Sequence, residues 1–452
     1  MRTYQDLELV LNNQTALMQF VLDAVSEFKR TEQYRIAADA QAYYAKKNVT
    51  MERYQKFIRD TMGRKVPDLF SANYKLKTAF FRRFVIQQTQ FVLSNGVTFE
   101  GEETKKKLGV NFDNQVQLLA KKAMVDGVSF GFWNFDHLEV FGLADTETEA
   151  GFCPIYDEET GALRAGIRHW SLDNSGSERY TLYEQDGYTE FVRLKNEELK
   201  IKAEKTAYIK RTKTTKAHGV EFEIGENYTG FPIIPMYAND LRASELVGIR
   251  ESIDCYDFIK SGLANAIDDT SGFYWTLKNT GGMDDTDLQA FVERMKVVKA
   301  AVLGRDVEAE AHTLEVPTAA REAMLNILKA DLYEDFQIVN VKDLSSGSKT
   351  ATEIRAAYQP MEDKCGDFEY CIREFIYRLL KLIGIEDDPS FKWNRIANQT
   401  EETNMVLAAA NYLDDEAILK HLPWLTPEEV DEILLRMDAE AATRVTTDPL
   451  EE

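Results

Sequence analysis

The stretch from Phe231 to Leu382 decides the fold, because two long helical patterns flank a short insert within it. It opens with the extended run FPIIPMYAND (Phe231 to Asp240) and continues as SELVGIRESIDCYDFIKSGLANAIDDTSGFYW (Ser244 to Trp275). After the insert come PTAAREAMLNILKADLYEDF (Pro317 to Phe336) and a Ser- and Gly-rich loop, QIVNVKDLSSGSKTA (337–351). The order is typical of an assembly part, and nothing in it has the pattern of a catalytic pocket.

The first of these helical patterns carries apolar residues on more than one stripe: Leu246, Ile249, Ile253, Tyr256, Phe258, Ile259, Leu263 and Ile267. A helix in a ring of subunits needs two apolar flanks, one for its own core and one for the neighbouring copy. The alternative is a helix wholly buried within one domain. Pro317 and Thr318 mark the start of the second helix, with Thr318 a candidate N-cap. A third helical pattern runs from Thr350 to Ile383.

The chain before this stretch predicts an α+β domain with helices first and a sheet after them. Helical spacing predicts helices over 6–41, 73–94 and 110–126, the last two ending at Asn95-Gly96 and Gly127. From Val128 to Ile234 the apolar period is two, with turn signals between the runs, which indicates antiparallel strands. The insert predicts strands over 273–277 and 300–304, a helix over 284–297 and a closing segment over 313–317.

Length and composition indicate an ordinary water-exposed globular protein. The 452 residues predict two to four domains, and 44% are hydrophobic while 29% are charged. We expect no membrane span, since no apolar run approaches the roughly 18 uncharged residues that one needs. The N-terminus MRTYQDLELVLNNQ lacks the basic and apolar regions of a signal peptide. We therefore expect an intracellular protein, or part of a particle assembled there.

The net charge of −22 constrains the partners. From Glu386 to Glu452, 17 acidic and 5 basic residues give 17 − 5, a net −12. Such acidity argues against tight wrapping of DNA, which needs phosphates to be neutralised. It is compatible with a surface past which DNA slides without sticking, and equally with a charge that only keeps the chain in solution.

One span, Lys46 to Arg83, is instead basic, with 11 basic and three acidic residues. Aromatic residues lie between the charges: Tyr54, Phe57, Tyr74, Phe80, Phe81 and Phe84. One interpretation is a nucleic-acid surface. The helical spacing favours the other, in which the aromatic residues face a core and the Lys and Arg heads reach outward to acidic neighbours.

Motifs that would indicate an enzyme or a metal site are incomplete. Ser346 to Thr350 has the Lys-Thr end of a nucleotide-binding loop but has Ser348 where that loop needs Gly. Asp136, His137 and Glu139 could suggest a nuclease, but on a strand Asp136 and His137 face opposite sides, so we interpret them as a solvated strand edge. Four scattered cysteines (Cys153, Cys255, Cys365 and Cys371) predict neither disulfides nor a metal pair. We expect no cofactor and no metal.

Taken together, the chain resembles a portal protein of long-tailed bacteriophages. Three pieces carry the resemblance beside the order of elements: Tyr43-Tyr44 with Asn73-Tyr74-Lys75 and Phe91 to Gly96; Ile253 to Asp257 with Asn265; and Ile418 to Leu425 with the acidic helix Glu428 to Glu440. The resemblance covers nearly the whole chain, although each motif is diffuse.

The resemblance implies an α+β portal-type subunit. Its wing would comprise helices and sheet over 1–240 and a long helix over 350–392, and its two stem helices would cover 241–272 and 318–336. A small α/β clip would cover 273–317, a tunnel loop 337–349, and an acidic helical crown and tail 393–452. Within the loop, Lys342, Ser345, Ser346, Gly347, Ser348 and Lys349 would contact passing DNA without regard to its sequence. From the residues alone, the loop could equally be an ordinary surface loop with two solvated lysines.

The function implied is structural and without catalysis. A homo-oligomeric ring of about twelve subunits would sit at one capsid vertex of the virion, after assembly in the host cytoplasm, and double-stranded DNA would be packaged and ejected through it. Implied partners are the terminase large subunit, the head-tail connector or adaptor protein, and the major capsid and scaffolding proteins. The alternatives are a DNA-processing enzyme (a nuclease or a packaging ATPase) with an atypical site, and a monomeric scaffold or adaptor.

Overall fold

The structure is a computed structural model that describes these residues: 2–59, 63–68, 71–145, 150–171, 176–195, 197–214, 221–269, 274–278, 308–312, 318–345, 351–394 and parts of 403–439. The chain divides into two units. The first comprises Met1–Val341 and Tyr358–Lys392, and the second comprises Lys342–Ala357 and Trp393–Glu452. Among the described residues no helix combines the length and the apolar character that crossing a bilayer requires.

The first unit opens with three short helices where the sequence predicts one over 6–41: α1 (Tyr4–Glu8), α2 (Gln14–Phe28) and α3 (Glu32–Tyr44). That prediction was wrong because polar residues interrupt the apolar spacing and cap new helices. Asn13 accepts hydrogen bonds from the first backbone N–H groups of α2, and Thr31 does the same for α3. The short helix α4 (Val49–Arg53) follows, capped by Asn48, and then the hairpin of β1 (Phe57–Arg59) and β2 (Lys65–Pro67).

The helix predicted over 73–94 is shorter: α5 covers Phe80–Leu93, and residues 72–79 are not helical. The predicted stop at Gly96 is confirmed by its positive φ of 73°. Next come β3 (Val97–Phe99), α6 (Glu102–Leu108) and α7 (Phe112–Asp126). Gly127 ends α7 in the left-handed conformation with φ 87°, as predicted.

The predicted antiparallel strands are confirmed, but they form more than one sheet. A three-stranded sheet has the order β13-β4-β5, from β4 (Val128–Asn134), β5 (His137–Gly142) and β13 (Ile233–Tyr237). A five-stranded meander has the order β10-β9-β8-β7-β6. Its strands are β6 (Gly151–Tyr156), β7 (Leu163–Ser171), β8 (Glu178–Glu184), β9 (Gly187–Arg193) and β10 (Lys200–Thr206). A separate hairpin pairs β11 (Ile209–Thr214) with β12 (Glu221–Glu226).

One apolar core joins α2 to both sheets. Its largest fully buried members include Phe28, Phe130, Phe152 and Phe191. A Cβ at Gly131 of β4 would lie 2.4 Å from Cζ of Phe375. A later helix therefore packs directly against the three-stranded sheet, which only glycine at this position allows.

That later helix is α11 (Ala351–Ile383), and it confirms the prediction for 350–383. Its buried apolar residues recur at three- and four-residue spacing: Tyr358, Met361, Phe368, Ile372, Phe375, Ile376 and Leu379. After it β16 (Pro389–Phe391) pairs with β3, so the chain returns to its N-terminal region.

The two predicted stem helices are α8 (Arg250–Asp269) and α9 (Thr318–Asp335), which pack against each other. The helix of 241–272 starts later than predicted, because Asn239 holds residues 239–245 in a turn. Its Nδ2 donates to the carbonyl of Ala243 and to Oε1 of Glu245, and its Oδ1 accepts from the Ala243 N–H. The second helix begins at Thr318, so its predicted start is confirmed, but Thr318 is the first helical residue and not the N-cap, which precedes the helix.

Between these helices the structure describes the hairpin of β14 (Tyr274–Lys278) and β15 (Glu308–His312). The first strand was predicted, whereas β15 was not. The predicted helix over 284–297, the strand over 300–304 and the closing segment over 313–317 lie outside the described residues. In the second unit, the described parts include most of the short helix α10 (Val341–Ser345) and α12 (Asp415–His421), the latter capped by Asp414.

Candidate functional site

The candidate functional site is the place where α8 meets the segment that precedes α5. Asp257, Ser261 and Asn265 lie four residues apart on one face of α8 and are 0%, 3% and 6% exposed. We call these three residues the acceptor row and residues 72–79 the strap. Polar side chains so deeply buried need hydrogen-bond partners, and the strap supplies them.

Three backbone N–H groups of the strap donate to the acceptor row. The Tyr74 N–H donates to Oδ1 of Asn265 at 2.6 Å, the Leu76 N–H to Oγ of Ser261 at 2.9 Å, and the Thr78 N–H to Oδ1 of Asp257 at 3.0 Å. Four residues of helix rise about 6 Å, and two residues of extended chain span about 6.6 Å. Because these repeats match, every second strap residue meets the next member of the row.

This pairing explains why residues 73–79 are not helical despite their apolar spacing. In a helix the same N–H groups would bond within the segment, and the acceptor row would be buried without donors. The signal in the sequence is Asp, Ser and Asn at i, i+4 and i+8 of one helix, and apolar periodicity alone does not reveal it.

A second set of polar contacts ties α8 to α3 and α4. The Tyr43 hydroxyl lies against Asp254 in a very short contact, and it lies 3.1 Å from Oδ1 of Asn48. Asn48 Nδ2 in turn donates to Oδ2 of Asp257 at 2.9 Å. Burial, and then the carboxylate of Asp254, raise the pKa of Tyr43 to about 12. The hydroxyl therefore keeps its proton and acts as a donor across the physiological range.

Asp257 stands at the centre of both sets. Its two oxygens accept from different elements, Oδ1 from the strap and Oδ2 from Asn48. Burial raises its pKa, while the hydrogen bonds from Asn48 and Thr78 offset part of that rise. The side chain holds three segments at fixed distances and is fully buried, so its role is to position them.

The entry to α8 and the end of α9 are joined to α11 by one ammonium group. Lys364 Nζ lies 2.7 Å from Oε2 of Glu245 and donates to the carbonyl of Phe336 at 3.1 Å. It also lies 3.6 Å from the centre of the Phe336 ring. Lys364 therefore links the entry to α8, the end of α9 and the long helix.

Another buried carboxyl, Asp126, fixes the sheet side of the same unit. Gln41 Nε2 donates to its Oδ1 at 2.7 Å, and the Leu143 N–H donates to its Oδ2 at 3.0 Å. Burial raises the pKa of Asp126 to about 7, while Lys122 and the hydrogen bonds lower it in part. It is 2% exposed, so it is closed to a substrate.

The six residues predicted to contact DNA are only partly placed. Lys342 and Ser345 lie on α10, so part of the segment predicted as a loop over 337–349 is a helical turn. Lys342 is exposed. Ser346, Gly347, Ser348 and Lys349 lie outside the described residues, and whether the six lie together stays a prediction.

Asp136 and Glu139 both lie close to the ring of His137. His137 Nδ1 lies 2.7 Å from Oδ1 of Asp136, and its Nε2 lies 3.5 Å from Oε1 of Glu139. The prediction that Asp136 and His137 face opposite sides was wrong, because Asp136 occupies the turn between β4 and β5. Within the part of the chain that the structure describes, no group of three or more His, Cys, Asp or Glu has the arrangement of a metal site.

The basic span is divided between a core and a surface. Phe80, Phe81 and Phe84 are buried, as the core interpretation predicts, whereas Tyr54, Phe57 and Tyr74 are 39%, 46% and 52% exposed. Lys77 forms an ion pair with Glu52 of the same chain. The span therefore forms core on one side and a mixed aromatic and charged surface on the other.

The arrangement is that of a mixed helix-and-sheet subunit whose paired helices are fixed to it by buried polar contacts. A family model described as "Phage portal protein, SPP1 Gp6-like" matches residues 27–443, and this chain belongs to that family. The resemblance drawn from the sequence is thereby confirmed.

Named relatives agree with the family. The portal protein of Clostridium phage phiCD119 is 24% identical over 236 residues, which are 50% of this chain and 52% of that protein. The portal protein of Bacillus phage SPP1 is 22% identical over 352 residues, which are 73% of this chain and 66% of that protein. The match thus spans between half and two thirds of the length of these relatives.

Solved structures with a similar chain include two from gene transfer agent particles. A chain in the neck of an empty particle, computed with C6 symmetry, is 9% identical with a TM-score of 0.42. A chain in the virion of the native particle is 10% identical with a TM-score of 0.44. Each comparison covers 75% of this chain and 88% of the other.

Proposed function

We propose that this chain is the repeating subunit of a ring at one vertex of a phage capsid, through which double-stranded DNA enters and leaves. The observation that carries the proposal is the family match over residues 27–443. The packed pair α8 and α9 supports it, because two helices held rigidly to a larger body can form the part of a channel wall that one subunit contributes.

Within that proposal the elements take the roles that the sequence analysis implies. Residues 1–240 and 350–392 form the wing, α8 and α9 the stem, 273–317 the clip and 393–452 the crown and tail. The ring has about twelve copies, belongs to the virion and is assembled in the host cytoplasm. Its partners are the terminase large subunit, the head-tail connector, and the major capsid and scaffolding proteins.

The segment 337–349 is proposed as the part that touches DNA. Lys342 and Lys349 supply the positive charge, and Ser345, Ser346, Gly347 and Ser348 supply small polar groups. Contacts of this kind go to phosphates and do not depend on sequence, which suits DNA that must move. The large negative charge elsewhere keeps the polymer from binding tightly outside the segment.

A genetic experiment tests this function. A stop codon early in the gene should leave particles that assemble shells but contain no DNA, and a plasmid copy of the gene should restore full particles. The purified chain should neither cleave DNA with divalent metal nor turn over nucleotide. DNA-filled particles from the stop-codon mutant, or metal-dependent cleavage by the purified chain, would contradict the proposal in favour of another class.

A further inference from the structure

A cleft with positive side chains lies where the β6–β7 turn, β13 and the last turns of α11 meet. Its volume is about 560 Å³, within the roughly 300 to 1,000 Å³ that ligand clefts occupy. Its charged lining residues are Arg242, Arg378 and Lys381. Among the described residues no carboxylate lines it, although the whole chain has a net charge of −22. The cleft therefore favours a negative group in a protein that is otherwise acidic.

The rest of the lining is apolar and aromatic. Ile233 and Ile234 of β13 are 2% and 5% exposed, and Phe231 is half-buried beside them. The hydroxyls of Tyr156 and Tyr237 are hydrogen-bonded to each other, and burial raises the pKa of Tyr156. Tyr156 thus stays protonated and adds no negative charge. A ligand that fills the cleft needs an apolar or aromatic group as well as a negative one.

Arg242 is held at the cleft by a backbone conformation that arginine rarely adopts. Its φ is 53°, in the left-handed region that favours glycine and, less strongly, asparagine. Its guanidinium carbon lies 4.5 Å from the centre of the Tyr237 ring, and it makes no ion pair in the described part of the chain. Because glycine would fill this position with less strain, the arginine indicates a use for its side chain.

The other two cations lie near the end of α11. Arg378 and Lys381 are three residues apart, and so they share one side of the helix. Arg378 pairs with Glu374 one turn earlier, yet its side chain is still 52% exposed. Lys381 is exposed and makes no ion pair with any residue that the structure describes. Cations in a last turn also complement the helix dipole, but that does not account for Arg242, which lies outside α11.

Carboxylates close to the cleft are engaged elsewhere. Asp157 begins the β6–β7 turn and accepts from two backbone N–H groups of that turn. Asp387 lies in a second cleft that Lys381 also borders, and it accepts from two backbone N–H groups ahead of α6. Within the described ranges neither carboxylate forms an ion pair with a cation of the cleft. The positive charge is therefore open to a ligand.

We propose that this cleft binds an acidic peptide segment of a second protein, with an aliphatic or aromatic side chain against β13 and carboxylates against Arg242 and Lys381. A guanidinium group can donate two parallel hydrogen bonds to one carboxylate. A short segment carries few charges, and salt screens the field of the remaining chain beyond about 8 Å. A nucleic acid would instead extend its phosphates past the cleft, along a chain of the same net sign. The cleft lies within the first unit of one chain, so the proposal does not depend on ring closure.

Fluorescence anisotropy with the purified full chain tests the proposal. The probe is the fluorescein-labelled peptide Glu-Glu-Leu-Phe-Glu-Glu. The peptides Gln-Gln-Leu-Phe-Gln-Gln and Glu-Glu-Ser-Ser-Glu-Glu are the controls for charge and for apolar content. Only the first peptide should bind at concentrations on the order of micromolar, and added salt should weaken its binding. Equal binding of the uncharged peptide would overturn the proposal.

Substitutions in the cleft provide the matched comparison. Arg242→Asn combined with Lys381→Gln removes two positive charges, and asparagine tolerates the left-handed conformation. The affinity for the acidic peptide should fall on the order of tenfold. Lys195→Gln, at an exposed lysine outside the cleft, should leave the affinity unchanged. Equal affinities of the double variant and this control, both shown to be folded by thermal unfolding, would overturn the site.

A photoreactive probe locates the site on the unaltered chain. The acidic peptide with benzoylphenylalanine in place of its Phe should label segments that line the cleft, as mass spectrometry of the digested chain would show. Labelling confined to other segments would overturn the site. Displacement of the peptide by an equal concentration of free citrate would also overturn the proposal, because the ligand would then be a small organic acid.

The outcomes separate this surface from the proposed function. Rings that do not bind the acidic peptide would overturn this inference alone. Peptide binding by a chain that never forms rings would support the cleft and contradict only the proposed function.

Discussion

At the scale of single residues, the buried polar side chains carry more of the architecture than their number suggests. The buried carboxyls of Asp257 and Asp126 and the partly buried ammonium group of Lys364 each join segments that are distant in sequence through hydrogen bonds. A buried polar group left without its partner costs more than the bond was worth, because desolvation is then uncompensated. Such residues are where substitutions act most strongly.

Asp257→Ala should lower the free energy of unfolding by about 2 to 4 kcal/mol, since the N–H of Thr78 and the amide of Asn48 lose their acceptor. The matched control is Glu251→Ala, an exposed carboxylate on the same helix, which should cost less than about 0.5 kcal/mol. Urea unfolding measures both. Equal midpoints for the two variants would refute the positioning role.

The raised pKa of Asp126 predicts that the free energy of unfolding falls as pH rises. Its folded-state pKa of about 7 lies above the value of about 3.9 for an exposed aspartate. The native state therefore holds the proton more tightly, and this group's contribution falls as pH rises from about 4 to about 7. Between pH 5 and pH 8 the loss should be about 3 kcal/mol.

The variant Asp126→Asn isolates this effect, because the amide does not titrate. The free energy of unfolding of this variant should be lower than that of the wild type. The amide nitrogen can lie against the Leu143 N–H, and two donors then face each other. Thermal unfolding at pH 5 and pH 8 should nevertheless show a smaller decline in the variant than in the wild type. Parallel declines would mean that Asp126 does not titrate in this window.

At the scale of elements, apolar periodicity predicted the helices and strands whose buried faces follow it. It failed where polar side chains cap the backbone or accept its hydrogen bonds. The helices over 110–126 and 350–383 and the strands of 128–234 were predicted because their apolar period matches their buried faces. The helix over 6–41 was wrong because capping residues restart the chain at Asn13 and Thr31.

The strap shows the same limit most clearly. Its apolar residues have helical spacing, yet it is extended because its backbone donates to side chains about 190 residues away. A window of local sequence does not contain those acceptors. The acceptor row could have been noticed as three polar residues on a buried stripe, but its partner could not.

Proline substitution tests the strap at alternate positions. Leu76→Pro removes the N–H that donates to Ser261 and should destabilise the protein by about 1 to 3 kcal/mol. Lys75→Pro removes an N–H that makes no bond to the acceptor row and should cost less, since extended chain accepts proline. Leu76→Ala reports the loss of the side chain alone. If both proline variants unfold at the same urea concentration, the alternate pairing is wrong.

At the scale of the whole molecule, the role of the chain follows from its family and not from any single site. The sequence order of helices, insert and Gly/Ser segment was enough to identify the family, because each piece has its own spacing and length. The acceptor row fixes one side of α8, while Phe258 and Ile267 of α8 and Ile327 of α9 are at least half exposed.

Replacing both Lys342 and Lys349 with Ala should reduce retention of packaged DNA without preventing ring assembly, because the change removes positive charge proposed to face phosphates. Counting DNA-filled particles in a complemented stop-codon mutant measures the effect. Lys329→Ala, on α9, is the matched control for loss of a lysine. Unchanged packaging and retention in the double variant would remove the segment from the DNA path.

The central claim is that this chain closes into a ring, and one measurement tests it directly. Negative-stain electron microscopy and native mass measurement should be made on the same purified sample. We expect rings with a central channel and a mass of about twelve times 51.7 kDa. A monodisperse monomer or dimer that persists at capsid-assembly concentrations would contradict it.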